Sequence, residues 1–252
     1  MRPAELKKMY ELEDSYWWFV ARRDLARALV QRYFHSRPGR LLDVGCGTGA
    51  TLHGLKAVGC VVGLDYSPVA LSYCVRRGER CLVQGNAEKL PFADRSFDAV
   101  TMLDLLEHVD DEAAMREVAR VLRPGGWVFI TVPAVPAVWS EHDEALEHKR
   151  RYLQPGLVRV IGQAGLRIHW VSYAILYLFW PIFMFRVAQR TLKPPRPGNA
   201  KTAIIPLPGL LNRLFIAMLW VESRLLMRLP LPFGISLVAV ARRAPQQTFP
   251  PP

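Results

Sequence analysis

Glycines and an acid are spaced along one segment so that they could bind a nucleotide-like ligand. Residues 41–50, LLDVGCGTGA, pass from small apolar residues and an acid into a glycine cluster, and then into a helical pattern. This order is typical of a buried parallel strand that turns sharply into a helix, because glycines permit positive φ and close approach of the backbone to a ligand. Asp43 would lie at the carboxyl edge of the sheet. We therefore expect a nucleotide-like cofactor there, with the acid facing its charged part.

A second segment, residues 139–152 (WSEHDEALEHKRRY), contains candidates for acid–base chemistry. His142 or His148 could act as a general base near neutral pH, and Asp143 could orient it. The alternative is that Asp143 caps a helix and that its neighbours are solvated. Neighbouring arginines could hold a phosphate or carboxylate group of a substrate. The substrate contacts predicted in this segment are Arg150, Arg151 and Tyr152.

The elements that must position these residues follow in a regular series. After the first strand, the sequence predicts a second strand over residues 61–65 that ends in Asp65, about the right distance on to bind ribose hydroxyls. Further segments predict a third strand and loop, a fourth strand, and a helix, turn and fifth strand; they are residues 82–92, 96–109 and 116–131. The glycine motif alone also satisfies the dinucleotide fingerprint, so a nicotinamide-dependent oxidoreductase stays an alternative.

Taken together, these motifs resemble those of class I S-adenosylmethionine-dependent methyltransferases, most strongly over residues 40–133. The resemblance implies an α/β, Rossmann-like, doubly wound sheet of seven strands. The final antiparallel strand would be residues 235–242, with residues 166–172 as its partner. It also implies S-adenosylmethionine as the cofactor, and therefore methyl transfer as the reaction.

The resemblance assigns cofactor contacts residue by residue. Asp43 would hold the methionine amino group, Asp65 would take both ribose hydroxyls, and Tyr66 would lie against the adenine. Asn86 stands where the commonest pattern has Asp, but its side-chain oxygen can still accept from the adenine amino group. The remaining contacts implied are Gly45, Cys46 and Gly47 along the methionine and sugar, Ala87 at the adenine edge, and Leu103 and Asp104 near the sulfonium.

The pair Glu107-His108 follows the fourth predicted strand and invites a catalytic interpretation. In many proteins with the resembling motifs this pair sits at a junction between strand and helix. We therefore predict a structural role for it, with catalysis as the alternative.

The N-terminal segment YWWFVARR, residues 16–23, places an aromatic cluster before an arginine pair. It resembles the opening of a bacterial methyltransferase subgroup often linked to lipid, polyprenol-linked or surface-glycan pathways. Trp17 and Trp18 would contact substrate if this helix closes the pocket; ordinary packing of the aromatic rings on the sheet is the alternative. Residues 1–38 are therefore predicted to form a helical cap.

Charge and hydropathy single out the C-terminal part of the chain. The formal net charge is +11, and residues 149–252 hold fifteen basic residues against one acid, Glu222. The same part contains two apolar segments separated by a basic, Pro-rich stretch. They are shorter or more interrupted than the roughly 20 apolar residues that span a bilayer. We predict an inserted hydrophobic segment of two helices, residues 173–230, with a kink near Pro181.

The predicted insertion either contacts an anionic membrane surface or only caps the pocket. The core would then comprise residues 39–172 and 231–243, followed by a disordered tail, residues 244–252. The expected substrate is amphipathic, either a lipid or a lipid-linked small molecule; a soluble small-molecule acceptor and a non-catalytic membrane scaffold are the alternatives. Interleaved apolar stretches and the lack of an RNA-binding motif argue against nucleic acid.

Composition also bears on the compartment. The four cysteines show no CxxC spacing, so neither a zinc site nor a disulfide framework is expected. The first residues lack the apolar stretch of a secretory signal. We expect a cytoplasmic protein, peripheral to the inner face of the cell membrane, without a bound metal; its oligomeric state is left open.

Overall fold

The computed structural model describes residues 3–34, 39–192 and 207–245. Seven strands within these ranges form one sheet in the order β3-β2-β1-β4-β5-β7-β6. Strands β1 to β5 run parallel to one another, whereas β7 runs antiparallel to both β5 and β6. The strands are β1 Gly39–Val44, β2 Gly59–Asp65, β3 Leu82–Gln84, β4 Phe97–Leu103, β5 Leu122–Pro133, β6 Leu166–Ala174 and β7 Ser236–Arg243.

Helices alternate with the strands and cover both faces of the sheet. They are α1 Pro3–Leu12, α2 Trp17–Tyr33, α3 Ala50–Leu55, α4 Pro68–Arg76, α5 Asp111–Val121, α6 Glu141–Ala145, α7 Gln154–Gln163, α8 Phe179–Leu192 and α9 Gly209–Leu226. One face packs against α5 and α7, and the other packs against α2, α3 and α9. This confirms the predicted α/β, doubly wound, seven-stranded fold.

The central strands are apolar on both sides because both of their faces are covered. In β1, Leu41 belongs to the core under α2, whereas Leu42 and Val44 belong to the core under α5 and α7. The chain then leaves the sheet at Gly45, which has a φ of 76°. A strand of this kind therefore ends abruptly, and the loop that follows lies at the carboxyl edge of the sheet.

Two hydrophobic helices, α8 and α9, lie between β6 and β7, as predicted. The kink expected near Pro181 is absent from the described part of α8, because the helix begins at Phe179 and Pro181 falls in its first turn. Proline is tolerated there, since the N–H groups of the first turn have no partner within the helix. None of the helices in the described ranges is long and apolar enough to cross a membrane.

One side of α9 is part of the core. Leu219 and Leu226 are buried, and the carboxylate of Glu222 accepts hydrogen bonds from the backbone N–H groups of Ile175 and Leu176 just after β6. Helix α9 also contacts the N-terminal helix α2: the side-chain oxygen of Asn212 accepts a hydrogen bond from the N–H of Trp17 at 2.9 Å. The insertion and the N-terminal segment therefore form one layer over the sheet.

The N-terminal helices also hold the glycine loop. Glu13 follows α1 and is buried, where it accepts from the Thr48 hydroxyl and pairs with Arg77 at 2.8 Å. Arg77 in turn donates to the Thr48 carbonyl. Of the predicted tail, only residues 244 and 245 are described; the rest lies outside the described residues.

Candidate functional site

A cavity of about 810 Å³ opens at the carboxyl edge of the parallel strands. This volume suits a nucleotide-sized ligand together with a second small molecule. All ten predicted cofactor contacts line it: Asp43, Gly45, Cys46, Gly47, Asp65, Tyr66, Asn86, Ala87, Leu103 and Asp104. Trp17 and Trp18 of α2 line its other wall, as does Ile182 of α8. The cap and the insertion therefore complete the cavity that the strands begin.

Asp43 is the second-last residue of β1, lines the cavity and is almost fully buried. It accepts a hydrogen bond of 2.6 Å from the hydroxyl of Thr101 on the neighbouring strand β4. Burial raises the pKa of Asp43 to about 7, against the opposing effect of Thr101, and the nearby charge of Asp65 raises it further. A cation arriving in the cavity would offset this burial and favour the ionised carboxylate.

Asp65 ends β2 and braces the glycine loop. One carboxylate oxygen accepts from the N–H of Gly47 at 2.9 Å, and the other accepts from the N–H of Ser67 at 2.8 Å. Burial raises the pKa of Asp65, and these backbone hydrogen bonds oppose the rise. Each carboxylate oxygen has a further lone pair, so the group can brace the loop and also accept from two ribose hydroxyls.

The adenine side of the predicted site is more open. Tyr66 lines the cavity but is 77% exposed, so its ring is available to stack on a ligand. The side-chain oxygen of Asn86 accepts from the N–H of Glu88 at 2.8 Å. One lone pair of Asn86 is thus used inside the loop, and the other stays available for an amino group.

Asp104, just beyond β4, connects the sulfonium end of the predicted site to the N-terminal cap. Its backbone has a φ of 52°, and its carboxylate forms an ion pair with Arg22 of α2 in which both oxygens take part. Arg22 is the first member of the arginine pair that follows the aromatic cluster. From the sequence, closure of the pocket by this segment and ordinary packing of its aromatic rings were both open, and nothing indicated that Arg22 pairs with Asp104, 82 residues away.

The histidine-rich segment forms a compact network around Asp143, which is completely buried. Asp143 accepts from Nδ1 of His148 at 2.9 Å and from Nε and Nη2 of Arg151 at 2.7 and 3.0 Å. Burial raises the pKa of Asp143, but these partners outweigh it and hold the pKa below the usual range of an aspartate. Because Asp143 is therefore ionised, it fixes Nδ1 of His148 as the donor, and in the neutral tautomer the lone pair of the ring lies on Nε2.

His148 and His142 both line the cavity, so the predicted general-base candidates are near the site. Asp143 also accepts from the Ser140 N–H and closes a capping box at the start of α6. The two interpretations offered by the sequence, a helix cap and an orienting acid, are therefore combined in one side chain.

The predicted substrate contacts in this segment are placed differently. Arg151 lines the cavity, but three of its donor groups are engaged by Asp143 and the Ala134 carbonyl. Arg150 and Tyr152 lie away from the cavity wall, where both contact Asp111. The physical reason is the buried carboxylate of Asp111 at the start of α5, which attracts the neighbouring donors more strongly than an open cavity does.

The pair Glu107-His108, for which the sequence predicted a structural role with catalysis as the alternative, lies on the cavity wall. Glu107 is 1% exposed, and burial raises its pKa well above the usual range of a glutamate. Burial lowers the pKa of His108 to about 4, and the nearby His148 lowers it further. His108 packs edge-on against His148, with ring centroids 4.8 Å apart. The adjacency of an acid and a histidine was visible in the sequence, but the approach of His148 was not.

The fold and the site together define a class. A sheet of this order, a glycine loop after β1 and acids at the ends of β1 and β2 are the features of a class I S-adenosylmethionine-dependent methyltransferase domain. The model of the methyltransferase domain family known as Methyltransf_11 matches residues 42–130. Residues 42–130 therefore form a methyltransferase domain, and S-adenosylmethionine is the cofactor of domains of this class.

Comparisons with known proteins agree with this class. The chain is 39% identical over 121 residues to O-methyltransferase rstn1 of Aspergillus nomiae, covering 44% of this chain and 54% of the relative. It is 35% identical over 131 residues to demethylmenaquinone methyltransferase of Chlorobaculum tepidum, covering 49% and 51%. The chain spans about half the length of the curated relatives it matches.

A solved structure of similar fold is geranyl diphosphate C-methyltransferase of Streptomyces coelicolor in complex with Mg²⁺, geranyl diphosphate and S-adenosyl-L-homocysteine. It has a TM-score of 0.58 and 15% identity, and the match covers 86% of this chain and 79% of that chain. At this identity the likeness concerns the fold.

Proposed function

We propose that this protein transfers a methyl group from S-adenosylmethionine to an amphipathic, lipid-like acceptor at a membrane surface. The observation that carries the proposal is the single cavity in which the predicted cofactor contacts meet α2 and α8. The strand ends supply the polar half of this cavity, whereas Trp17, Trp18 and Ile182 supply apolar surface. An acceptor with an apolar body and one nucleophilic atom suits such a division.

Methyl transfer depends mainly on the alignment of the acceptor atom with the methyl group of the cofactor. Methyl transfer is an in-line displacement at a sulfonium carbon, so the protein must hold the nucleophile opposite the sulfur and exclude water. An oxygen or nitrogen acceptor must also lose a proton, and a histidine is suited to take it near neutral pH. His148 is the favoured base, because Asp143 fixes its tautomer and leaves Nε2 free to accept a proton.

The lipid-like nature of the acceptor is inferred from the outer face of α9. Leu210, Leu214, Val221 and Leu225 are exposed, and their spacing of four, seven and four residues places them on one side of the helix. The buried residues Leu219, Glu222 and Leu226 lie on the opposite side. A helix that buries one face and still exposes an apolar stripe on the other is typical of a protein that meets an apolar partner.

The surroundings of this stripe favour a membrane surface as that partner. Arg213 and Arg224 flank the stripe, and Arg228 follows the helix; all three are exposed. Arg224 also stacks over the ring of Trp220, 3.4 Å from its centroid. Basic residues and a tryptophan beside an apolar stripe are suited to bind anionic headgroups while the stripe enters the acyl boundary below them. The inner face of a cell membrane offers such a surface.

The names of similar proteins are compatible with this acceptor class. Demethylmenaquinone and geranyl diphosphate each combine a polar group with an isoprenoid chain, and they occur in the names of a relative and of a protein of similar fold. The name of the first relative specifies only an oxygen acceptor.

Two binding measurements test the proposal. Calorimetric titration with S-adenosylmethionine should give micromolar binding, and flotation with phosphatidylglycerol vesicles should carry the protein upward. The charged variant Leu214→Glu/Val221→Glu should lose flotation but keep cofactor binding. Val75→Glu is the matched control, because Val75 is 62% exposed on the distant helix α4.

Transfer itself is measured with radiolabelled S-adenosylmethionine and a total lipid extract. Label recovered in the organic phase supports the proposal. If the protein binds the cofactor but does not float, and label appears only in water-soluble products, the acceptor is a soluble molecule and not a lipid. Absence of cofactor binding by the folded protein would overturn the proposal.

A further inference from the structure

Three side chains on the cavity wall, including the candidate base His148, have the ligand types and the spacing of a metal site. Glu107, His108 and His148 each offer one ligand atom, and these three atoms lie within 4.8 Å of one another. We propose that they bind a divalent transition-metal ion, of the kind represented by Zn²⁺, beside the cofactor. The metal's role in the reaction rests on the proposed function, but its binding does not.

The first argument comes from Glu107. The side chain is 1% exposed, and neither carboxylate oxygen has a hydrogen-bond partner among the described residues. The neighbouring cations Arg22 and Arg151 are paired with Asp104 and Asp143 respectively, and Nη1 of Arg22 makes no hydrogen bond to Glu107. A carboxylate buried without a donor is costly, and bound metal is one of the few arrangements that offset this cost.

The second argument comes from the two histidines. His148 directs Nδ1 at the carboxylate of Asp143, and His108 is hydrogen-bonded to the backbone of Glu147. In each ring one nitrogen is thus fixed by a partner while the other is left as a ligand. A carboxylate or carbonyl behind a histidine is the usual outer shell of a metal site, because it sets the tautomer and the orientation of the ring.

The segment that supplies His148 is also fixed to the one that supplies Glu107. The N–H of Lys149 donates to the Glu107 carbonyl at 2.7 Å, and the N–H of His148 donates to the Asp143 carbonyl at 2.9 Å. Metal–ligand bonds of about 2.0–2.2 Å with tetrahedral angles would bring the three ligand atoms about 3.4 Å apart. Small rotations of the side chains suffice, since the backbone already joins the two segments.

Two histidines and one carboxylate leave coordination positions open, and all three residues line the cofactor cavity. An acceptor hydroxyl at an open position would have a lowered pKa. Because His148 would be coordinated, His142 would replace it as the base. The acceptor oxygen would attack the sulfonium methyl carbon, the electron pair of the broken C–S bond would stay on sulfur, and the hydroxyl proton would pass to His142. The ring of His142 lies 6.4 Å from that of His148, centroid to centroid.

Metal binding by the full chain tests this proposal without any assay of turnover. Chelator-treated protein is titrated with Zn²⁺ by calorimetry and with Co²⁺ by visible absorption. We expect one equivalent of each metal to bind. His108→Ala and Glu107→Gln should weaken binding at least tenfold; Glu107→Gln keeps the size of the side chain. His53→Ala is the control, because His53 is exposed on α3 away from the cavity.

The free cysteines need a separate control, because thiolates also bind these metals. Cys60 and Cys81 are the exposed ones, and the variant Cys60→Ser/Cys81→Ser should bind metal like the parent. A thiolate charge-transfer band in the Co²⁺ spectrum would overturn the proposal. So would a folded parent protein that takes up no metal, or unchanged affinity in His108→Ala/His148→Ala.

Calorimetry with S-adenosylmethionine on the same samples separates the two proposals. Variants that bind the cofactor and lose the metal support the metal site. A protein that binds the metal but not the cofactor keeps the metal site and refutes the methyltransferase function.

Discussion

Replacing Asp143 should destabilise the protein mainly by leaving Arg151 without its counter-charge. The carboxylate is completely buried and the Arg151 side chain is 9% exposed, and two hydrogen bonds of 2.7 and 3.0 Å join them. Removing one partner of a buried ion pair costs about 3–5 kcal/mol, because a charge stays in the interior uncompensated. Asp143→Asn and Arg151→Met should therefore each lower the free energy of unfolding by about that amount.

The double variant distinguishes this reason from simple loss of packing. With both charges gone, the cost should be at least about 2 kcal/mol smaller than the sum of the two single costs. Urea unfolding followed by tryptophan fluorescence measures all four proteins. At a denaturant slope of about 3 kcal/mol per molar, each single variant should unfold about 1–1.7 M earlier than the parent.

Additive costs would refute the reasoning. If the double variant lost the sum of the single costs to within about 0.5 kcal/mol, the two side chains would act independently. His142→Ala serves as the control, because it removes a histidine of the same short helix without breaking this pair; it should unfold near the parent midpoint.

Three further outcomes are expected. Asp65→Ala should weaken S-adenosylmethionine binding by about 10–100-fold, since hydrogen bonds to a charged group contribute about 1.5–3 kcal/mol. Unchanged affinity by calorimetry would refute the prediction that Asp65 binds the ribose hydroxyls. The raised pKa of Asp43, about 7, means that its carboxyl is protonated at lower pH, so cofactor affinity should fall up to about tenfold per pH unit below that value. Calorimetry in two buffers should detect proton release there, and an Asp43→Asn variant that keeps the same pH dependence would contradict this. Asn212→Ala should cost about 1 kcal/mol in urea unfolding, because the N–H of Trp17 at the start of α2 loses its acceptor and the Ser15 carbonyl loses its donor; an unchanged urea midpoint would count against these contacts.

The cofactor half of the site could be predicted because it follows from local order along the chain. Parallel strands end at one edge of the sheet, so acids and glycines placed just after strands meet there. Asp43, Asp65 and the residues after β4 therefore line one cavity, as their positions in the sequence indicated.

The other half depends on pairings between distant segments. Arg22 meets Asp104 across 82 residues, and Asn212 meets Trp17 across 195. Nothing near either residue in the sequence specifies its partner, because the pairing is decided by how α2 and α9 dock. The same holds for Arg150 and Tyr152. Both contact Asp111, and that contact depends on how deeply the first residue of α5 is buried in the core. The burial of Glu107 could not be predicted from the sequence either, because it results from residues 143–149 packing over this side chain.

The position of β7 has a consequence for biosynthesis. This strand lies between β5 and β6, although it follows both of them and the two helices α8 and α9 in the chain. Until residue 243 has left the ribosome, β5 therefore has an unpaired edge and β6 has no neighbour in the sheet. Exposed edges of this kind favour pairing with other chains. The nascent protein is thus most exposed to aggregation while its apolar helices are being made, and a membrane or chaperone close to the ribosome would protect it during that interval.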